Sequence, residues 1–331
     1  MAARGRLRLP VLVAPDSFKG SYGAAQVAAA IARGLTSAGV SCELAPLADG
    51  GEGTAEILRE RLGGEERSAL VHDPLGRERE ARYTLLADGR AVVEVAAASG
   101  LATVAAAERD AEAASSAGTG ELILAAIRRG VRSVLVAAGG SATTDGGLGA
   151  IEAVEGSGGL QGARLVVLCD VRTPFELAAA RFAPQKGADP AAVARLTRRL
   201  ERLAGTLPRD PRGLPRGGAA GGLAGGLWAA FGAKLEPGAA FVLDALDFDR
   251  RARASHAVIL GEGRLDATTL DGKTLAEAAI RARQLGVPAH AIVAVNALER
   301  FDARILDLQT IAQATDPGEL ERAARALAER L

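Results

Sequence analysis

Apolar residues in this chain fall into short runs separated by polar, glycine-rich loops, and the spacing within the runs predicts strands alternating with helices. Leu9 to Ala14 reads as a short buried strand, Pro15 to Gly20 as a loop, and the alanine-rich stretch from about Ala24 to Ser37 as a helix. Val40 to Ala45 is a second strand, followed by the loop Asp49-Gly50-Gly51-Glu52-Gly53-Thr54 and a helix from about Thr54 to Leu62. Arg82 to Leu86 and Ala91 to Val95 bracket Asp88-Gly89, a pair that suits the tight turn of a hairpin. In the middle of the chain a helix from Gly120 to Arg129 leads to a strand from Ser133 to Ala138, the loop Gly139 to Gly147, and a strand from Ala163 to Leu168 that delivers Cys169-Asp170. The last part predicts a strand from Ala257 to Leu260, a loop from Gly261 to Gly272, a helix from Thr274 to Leu285, a strand from Ala289 to Val295 and a final amphipathic helix near Glu319 to Leu331.

Two stretches interrupt this rhythm. Pro208 to Pro215 holds three prolines and a glycine, and reads as a loop or a lid. The run Gly217 to Gly226 is too rich in glycine for a stable isolated helix, because each glycine costs about 1 kcal/mol against alanine. It is predicted either to pack tightly against another backbone or to bind a ligand. The closing cadence resembles the opening one, which predicts an α/β protein of two α/β domains. One is a flavodoxin-like three-layer domain built from both chain ends, residues 1–66 and 252–331, and the other is inserted between them as residues 67–251.

Composition supports this class and removes others. The chain has 331 residues, long enough for about two domains and a full core without disulfide staples. Aromatics are only 3% of it, so small aliphatic side chains must fill an interior in which helices and sheets approach closely. The formal net charge is zero and the arginines are scattered, which argues against nucleic acid as a partner. Cys42 and Cys169 are the only cysteines and form no Cys-x-x-Cys motif. Met1 to Pro10 lacks an apolar stretch suited to export, and no run approaches the ~18 apolar residues of a membrane span. The expectation is a cytoplasmic protein with no membrane partner, as a monomer or a homodimer.

The chemistry is first visible in the lysines. Only four of the forty basic residues are lysines, and three of these, Lys19, Lys186 and Lys273, lie in short loops with glycine. A compact ammonium on a flexible stem suits a phosphate oxygen, which marks a phosphate handler; the bland alternative is three exposed lysines that escaped a drift to arginine. The loops after strands present, in order, Asp16, Ser17 and Lys19; Asp49 and Glu52; Ser141, Thr143, Thr144 and Asp145; Asp170; Glu262, Arg264 and Asp266; and Lys273. In an open α/β sheet the ends of neighbouring strands converge on one crevice, which predicts a common ligand for this set. Glycines for close approach, cations for anionic oxygens and carboxylates for a divalent cation suit magnesium and phosphoryl groups. Asp49 and Asp145 read equally well as helix caps.

Two decoys are set aside. Gly272-Lys273-Thr274 has the tail of a Walker A loop, but Ala267 stands where its first glycine is required. None of His72, His256 and His290 lies in a glycine-rich loop or near a nucleophile signature, which argues against a histidine triad or a zinc site.

Seven ordered motifs then identify a family. They are Ala14-Pro15-Asp16-Ser17-Phe18-Lys19-Gly20-Ser21, Leu47-Ala48-Asp49-Gly50-Gly51-Glu52-Gly53-Thr54, Glu94-Val95-Ala96-Ala97-Ala98-Ser99-Gly100-Leu101, Ser116-Ala117-Gly118-Thr119-Gly120-Glu121-Leu122-Ile123, Gly139 to Gly149, Phe182-Ala183-Pro184-Gln185-Lys186-Gly187-Ala188, and Gly261-Glu262-Gly263-Arg264-Leu265-Asp266. In that order they resemble the bacterial class I glycerate kinases, over about residues 11 to 296. The resemblance implies ATP-dependent phosphorylation of glycerate, usually at the 2-hydroxyl, on a two-domain α/β fold with a flavodoxin-like part. The chain departs from the family pattern at Thr144, where Asn is usual, at Arg172-Thr173, where Asp-Asn is usual, and at Val295-Asn296, and it is shorter between Gly149 and Ala163.

The expected reaction is in-line transfer from Mg-ATP (Mg2+ and ATP as cofactors) to a hydroxyl of D-glycerate, giving 2-phosphoglycerate and ADP. Asp49 is the first candidate for the base and Asp266 the second, with Lys19 also catalytic. Asp16, Ser17, Lys19, Glu52 and Arg264 are the candidates for binding substrate. Gly139, Gly140, Ser141, Thr143, Asp145, Gly146, Lys186 and Lys273 are those for the nucleotide, and Asp170 and Glu262 those for the metal. A kinase for another small hydroxy-acid, or a catalytically silent glycerate sensor, is the alternative.

Overall fold

The structure is a computed structural model that describes residues 9–18, 20–271 and 273–331, with the backbone alone at Asp271 and Arg300. Its strands are β1 (Val11–Pro15), β2 (Cys42–Leu44), β3 (Gly64–His72), β4 (Glu78–Leu86), β5 (Arg90–Glu94), β6 (Ser133–Ala137), β7 (Arg164–Cys169), β8 (Lys234–Pro237), β9 (Ala257–Leu265), β10 (Ala289–Asn296) and β11 (Leu308–Gln313). The chain forms two compact units, one from the described residues of Met1–Ala48 with Val242–Leu331 and one from Asp49–Phe241.

The first unit holds a five-stranded sheet in the order β11-β10-β9-β1-β2, with every neighbouring pair parallel. Numbered within the unit, this order is 2-1-3-4-5 and therefore flavodoxin-like, with the direction of winding reversing between β1 and β9. Parallel strands are covered on both faces, and their sequences are correspondingly apolar: every residue of β1 is buried, as are the first six of β9. The helices Ala24–Ser37 and Pro317–Ala328 pack together over this sheet. Gly34 makes their approach possible, because a Cβ there would lie 2.2 Å from the Glu321 carbonyl oxygen.

The second unit holds a six-stranded sheet in the order β3-β4-β5-β6-β7-β8. Its β3, β4 and β5 run antiparallel and β5 to β8 run parallel. The predicted hairpin turn is present between β4 and β5, with Gly89 at φ +85°. Helix Pro190–Ala204 begins at Asp189, whose carboxylate accepts the Ala192 amide at 2.7 Å, and it buries Ala192, Leu196, Leu200 and Ala204 along one stripe.

Several expectations are corrected by packing. The predicted loop Gly261 to Gly272 begins as strand, because β9 continues to Leu265 alongside Asn296 of β10. Strand β3 was not predicted; most of its residues are exposed and polar, so no apolar alternation marks it. Of the two outcomes open for the glycine-rich run, the structure shows backbone packing. It forms a short 3-10 turn, Ala219–Gly222, and then the helix Leu223–Phe231. A Cβ at Gly221 would lie 1.9 Å from the Thr143 carbonyl oxygen and one at Gly226 2.1 Å from that of Gly146. The run thus backs the loop that follows β6. Pro208 to Pro215 contains turns but neither helix nor strand.

Candidate active site

In each unit most of the described candidate residues lie at or just beyond the carboxyl ends of parallel strands, whereas Lys186 lies in the 3-10 turn Pro184–Lys186. In the first unit β1 ends in Asp16, whose amide donates to the Gly261 carbonyl of β9 at 2.8 Å, so the loop bearing Asp16 and Ser17 lies at the point of reversal. Lys19 lies outside the described residues. β9 carries Glu262 and Arg264 on its last turns of pleat. Two residues apart, they share a face of the strand; Glu262 is buried, whereas Arg264, one residue before the strand's end, is exposed and donates from Nε to Asp266 at 3.1 Å.

The two acidic groups here differ in environment. Glu262, 8% exposed, accepts the Thr269 hydroxyl at 2.8 Å. Burial pushes its carboxyl up to about 7, opposed by the Thr269 hydrogen bond and Lys273 and reinforced by Asp16 and Asp266. Asp266 is held below its ordinary value, chiefly by the Thr268 hydroxyl at 2.6 Å, with help from the Thr268 amide, Arg264 and Lys273. A carboxylate stabilised in this way is a weakened proton acceptor. Lys273 donates from Nζ to the Thr268 hydroxyl at 2.8 Å, and the buried hydroxyl of Thr274, next in the chain, has no partner.

In the second unit the loop Asp49 to Gly53 lies across the ends of β6, β7 and β8. A Cβ on Gly50 would lie 2.7 Å from the Gly238 Cα and 3.0 Å from the Leu168 Cβ, and one on Gly139 would lie 2.6 Å from the Gly51 Cα. Only glycines allow these backbones to touch. Asp49, 4% exposed, accepts the Gly51 amide on Oδ1 at 3.0 Å, so it turns its own loop. Glu52 is exposed beside it, and Asp170, half-buried, directly follows β7. Gly139→Ala is expected to destabilise the protein by about 2 kcal/mol, the usual scale for overpacking, and to shift the Asp49 loop. Denaturant unfolding and turnover of the same variant check this.

The loop after β6 divides in two. Gly139 and Gly140 stand at the solvent edge, whereas Ser141, Thr143 and Asp145 are buried. Asp145 accepts the Ser116 amide and hydroxyl at 2.8 and 2.7 Å, the Gly147 amide at 3.1 Å and the Gly149 amide at 3.2 Å. Its charge therefore anchors two helix starts, the capping alternative noted from sequence. Gly146, also buried, has φ +68°. Lys186, 2% exposed, donates from Nζ to the Thr143 carbonyl at 2.5 Å, and burial pushes its ammonium down to about 8 against the opposing charge of Asp145. Thr144, at one of the departures from the family pattern, is buried with its hydroxyl unpartnered.

The residue that sequence reasoning missed is Glu94. It is the last residue of β5 and accepts the Ala55 amide at 2.9 Å. Burial pushes its carboxyl up to about 7, opposed by the Ala55 and Gly53 amides and reinforced by Glu52 and Glu56. The strand-end rule would have found it, but the apolar pattern carries the predicted strand on to Val95 and hides Glu94 in its interior.

One parallel and one mixed sheet, each with glycines and carboxylates at the ends of its parallel strands, have the architecture of an α/β enzyme. The chain matches the glycerate kinase family over residues 11–159 and 155–331, and it belongs to that family. It is 37% identical over 320 residues to the glycerate kinase of Halalkalibacterium halodurans, covering 85% of this chain and 84% of that one. It is 35% identical over 303 residues to the glycerate 2-kinase of Escherichia coli strain K12, covering 80% of each. A crystal structure assigned as glycerate kinase 2 of Salmonella typhimurium LT2 matches with a TM-score of 0.80 and 34% identity, over 98% of both chains. Among the described residues no helix is long and apolar enough to cross a membrane.

Proposed function

We propose that this protein transfers the terminal phosphoryl group of ATP to the 2-hydroxyl of D-glycerate, giving 2-phosphoglycerate and ADP. The observation that carries this reading is the Asp49 to Gly53 loop, which holds a buried carboxylate against the bare glycine backbone of Gly139, within a chain of the glycerate kinase family. Asp49 accepts the proton of the attacking hydroxyl, and the low proton affinity of Asp266 favours Asp49 over it. Arg264, exposed, and Lys19 supply cationic donors to the glycerate carboxylate, with Asp16, Ser17 and Glu52 completing recognition. The amides of Gly139 and Gly140 cradle phosphate oxygens, with Lys273 as a further cation. Ser141, Thr143, Asp145, Gly146 and Lys186 form the buried support of that cradle.

The donor set suits magnesium. By residue type the buried Glu262 and the half-buried Asp170, which directly follows β7, are the carboxylates that would serve as oxygen donors to it. Among the described residues no group of three or more His, Cys, Asp and Glu could hold a metal ion. Magnesium would neutralise charge on the phosphoryl oxygens.

ADP release measured with a panel of small hydroxy-acids, with the product read by phosphorus NMR, tests the reading. Turnover with glycerate and a resonance for the 2-phosphate are expected; turnover only with another acceptor, or none, refutes it. Lys234, whose side chain is 74% exposed, serves as a control, and Lys234→Ala should stay within about twofold of wild type.

A further inference from the structure

We propose that Glu94 is a positioning residue for this reaction, its carboxylate fixing the turn that carries Asp49 against the end of the parallel sheet. The inference rests on the assignment of Asp49 as the base. Helix Thr54–Leu62 opens without a cap of its own, since its N-cap is Gly53, at φ +90° and with no side chain to offer. The adjoining Thr54 hydroxyl is buried with no partner and does not replace it. Instead, Glu94 reaches over from β5 and accepts the amide of Ala55, in the first turn, where a negative charge also meets the positive end of the helix.

Glu94 is tied equally firmly on its other side. The chain after it forms the helix Val95–Ser99, and that segment binds the loop after β6. The Ala142 amide donates to the Ser99 carbonyl at 2.9 Å, and the Leu101 amide to the Gly140 carbonyl at 2.7 Å. One residue thus joins the turn bearing the proposed base to the loop bearing the proposed phosphate cradle, and the two meet again where Gly51 touches Gly139. The charged side chains that bear on Glu94 are Glu52 of the turn and Glu56 of the helix, both acidic. A carboxylate kept half-buried among like charges is a poor choice for a cap whose only task is stability. Such groups are retained where geometry serves function.

Glu94→Ala, Glu94→Asp and Glu94→Gln in the full chain test this by ADP release with glycerate and by hydrogen exchange at the Ala55 amide. Glu94→Ala is expected to lower kcat about a hundredfold, the scale of a misplacement near 1 Å, with KM for glycerate little changed and Ala55 exchange accelerated. Glu94→Gln keeps an acceptor oxygen and should restore most of kcat and the slow exchange. Glu94→Asp keeps the charge but withdraws the oxygen by one methylene, so it should resemble Glu94→Ala and serves in its place if that variant does not fold. The inference is overturned if Glu94→Ala or Glu94→Asp keeps wild-type kcat with Ala55 protected, if the loss lies in KM alone, or if Glu94→Gln is no better than Glu94→Ala. Should the wild type fail to phosphorylate glycerate, the functional reading falls, and exchange at Ala55 still decides whether Glu94 holds the turn.

Discussion

Replacing Asp49 with Asn is expected to lower kcat by about 10²- to 10⁴-fold, the usual contribution of a positioned general base, while leaving the fold intact. Asn is the informative substitution because Asp49 has two tasks. Its Oδ1 accepts the Gly51 amide and turns the loop, and an Asn side-chain oxygen can do the same. What Asn cannot do is take up the proton of an attacking hydroxyl. A folded Asp49→Asn protein therefore separates turn geometry from proton transfer, whereas Asp49→Ala would remove both. KM for glycerate should move little, because uniform binding does not depend on a group that acts only in the transition state. Asp266→Asn provides the contrast. Its carboxylate is stabilised by Thr268, Arg264 and Lys273 and is a poor proton acceptor, so its loss should act through the arrangement of Arg264 and affect KM more than kcat. Steady-state kinetics of both variants, with circular dichroism to check folding, decides the assignment. Near wild-type kcat in Asp49→Asn, or a larger kcat loss in Asp266→Asn, reverses it.

The same residues show how far the sequence could be read. Strands and helices with strong periodicity were legible almost to the residue: the helix predicted over Ala24 to Ser37 is Ala24–Ser37, and that over Thr54 to Leu62 is Thr54–Leu62. The flavodoxin-like order followed from the matching cadence at the two ends, because right-handed crossovers leave few ways to arrange such a sequence. Strand β3 was not legible, since its pairing with β4 is set by backbone hydrogen bonds and its side chains mostly face water. Helix Pro190–Ala204 was legible and overlooked: Asp189-Pro190 and the four-residue spacing of Ala192, Leu196, Leu200 and Ala204 are standard signals.

For the candidate site, residue type pointed to the right loops but not to burial. Nothing in Pro184-Gln185-Lys186-Gly187 distinguishes a lysine at a solvent edge from one sealed inside, and nothing local could, because Thr143 and Asp145, which face Lys186, come from a loop more than forty residues away. The glycine-rich run Gly217 to Gly226 is similar. Its composition demanded a close approach, but its partner, the loop holding Thr143 and Gly146, appears only in three dimensions.

Lys186 carries the second large expectation, an alkaline gain in stability. Its ammonium has a single carbonyl as hydrogen-bond partner among the described contacts and is pushed from 10.5 down to about 8, with burial the principal cause. The folded protein thus binds this proton less tightly than the unfolded chain does, and between about pH 8 and 10.5 the unfolded state carries more protons. The contribution of Lys186 to stability therefore rises with pH across that window, where the buried charge is relieved, and is lower below it. A shift from 10.5 to about 8 corresponds to a gain on the order of 3 kcal/mol. The two cysteines, both raised by burial from 9.0, titrate in the unfolded chain inside this window and lower stability as pH rises, so the Lys186 contribution is read as a difference from a variant in which the cysteines are unchanged. Lys186→Met keeps the length and apolar stem but cannot titrate. At neutral pH the removal of a buried charge is offset by the Thr143 carbonyl left without its donor, worth about 1–3 kcal/mol, so the two proteins should be close in stability there. Toward pH 10.5 the wild type should pull ahead. Urea unfolding of both proteins from pH 7 to 10.5 reads the difference directly, and parallel curves would show that Lys186 titrates in the folded protein as it does in water. Turnover at neutral pH adds the functional half: if the ammonium holds the Thr143 carbonyl so that the loop from Gly139 onward presents its amides correctly, Lys186→Met should lose activity at a pH where it has lost no stability.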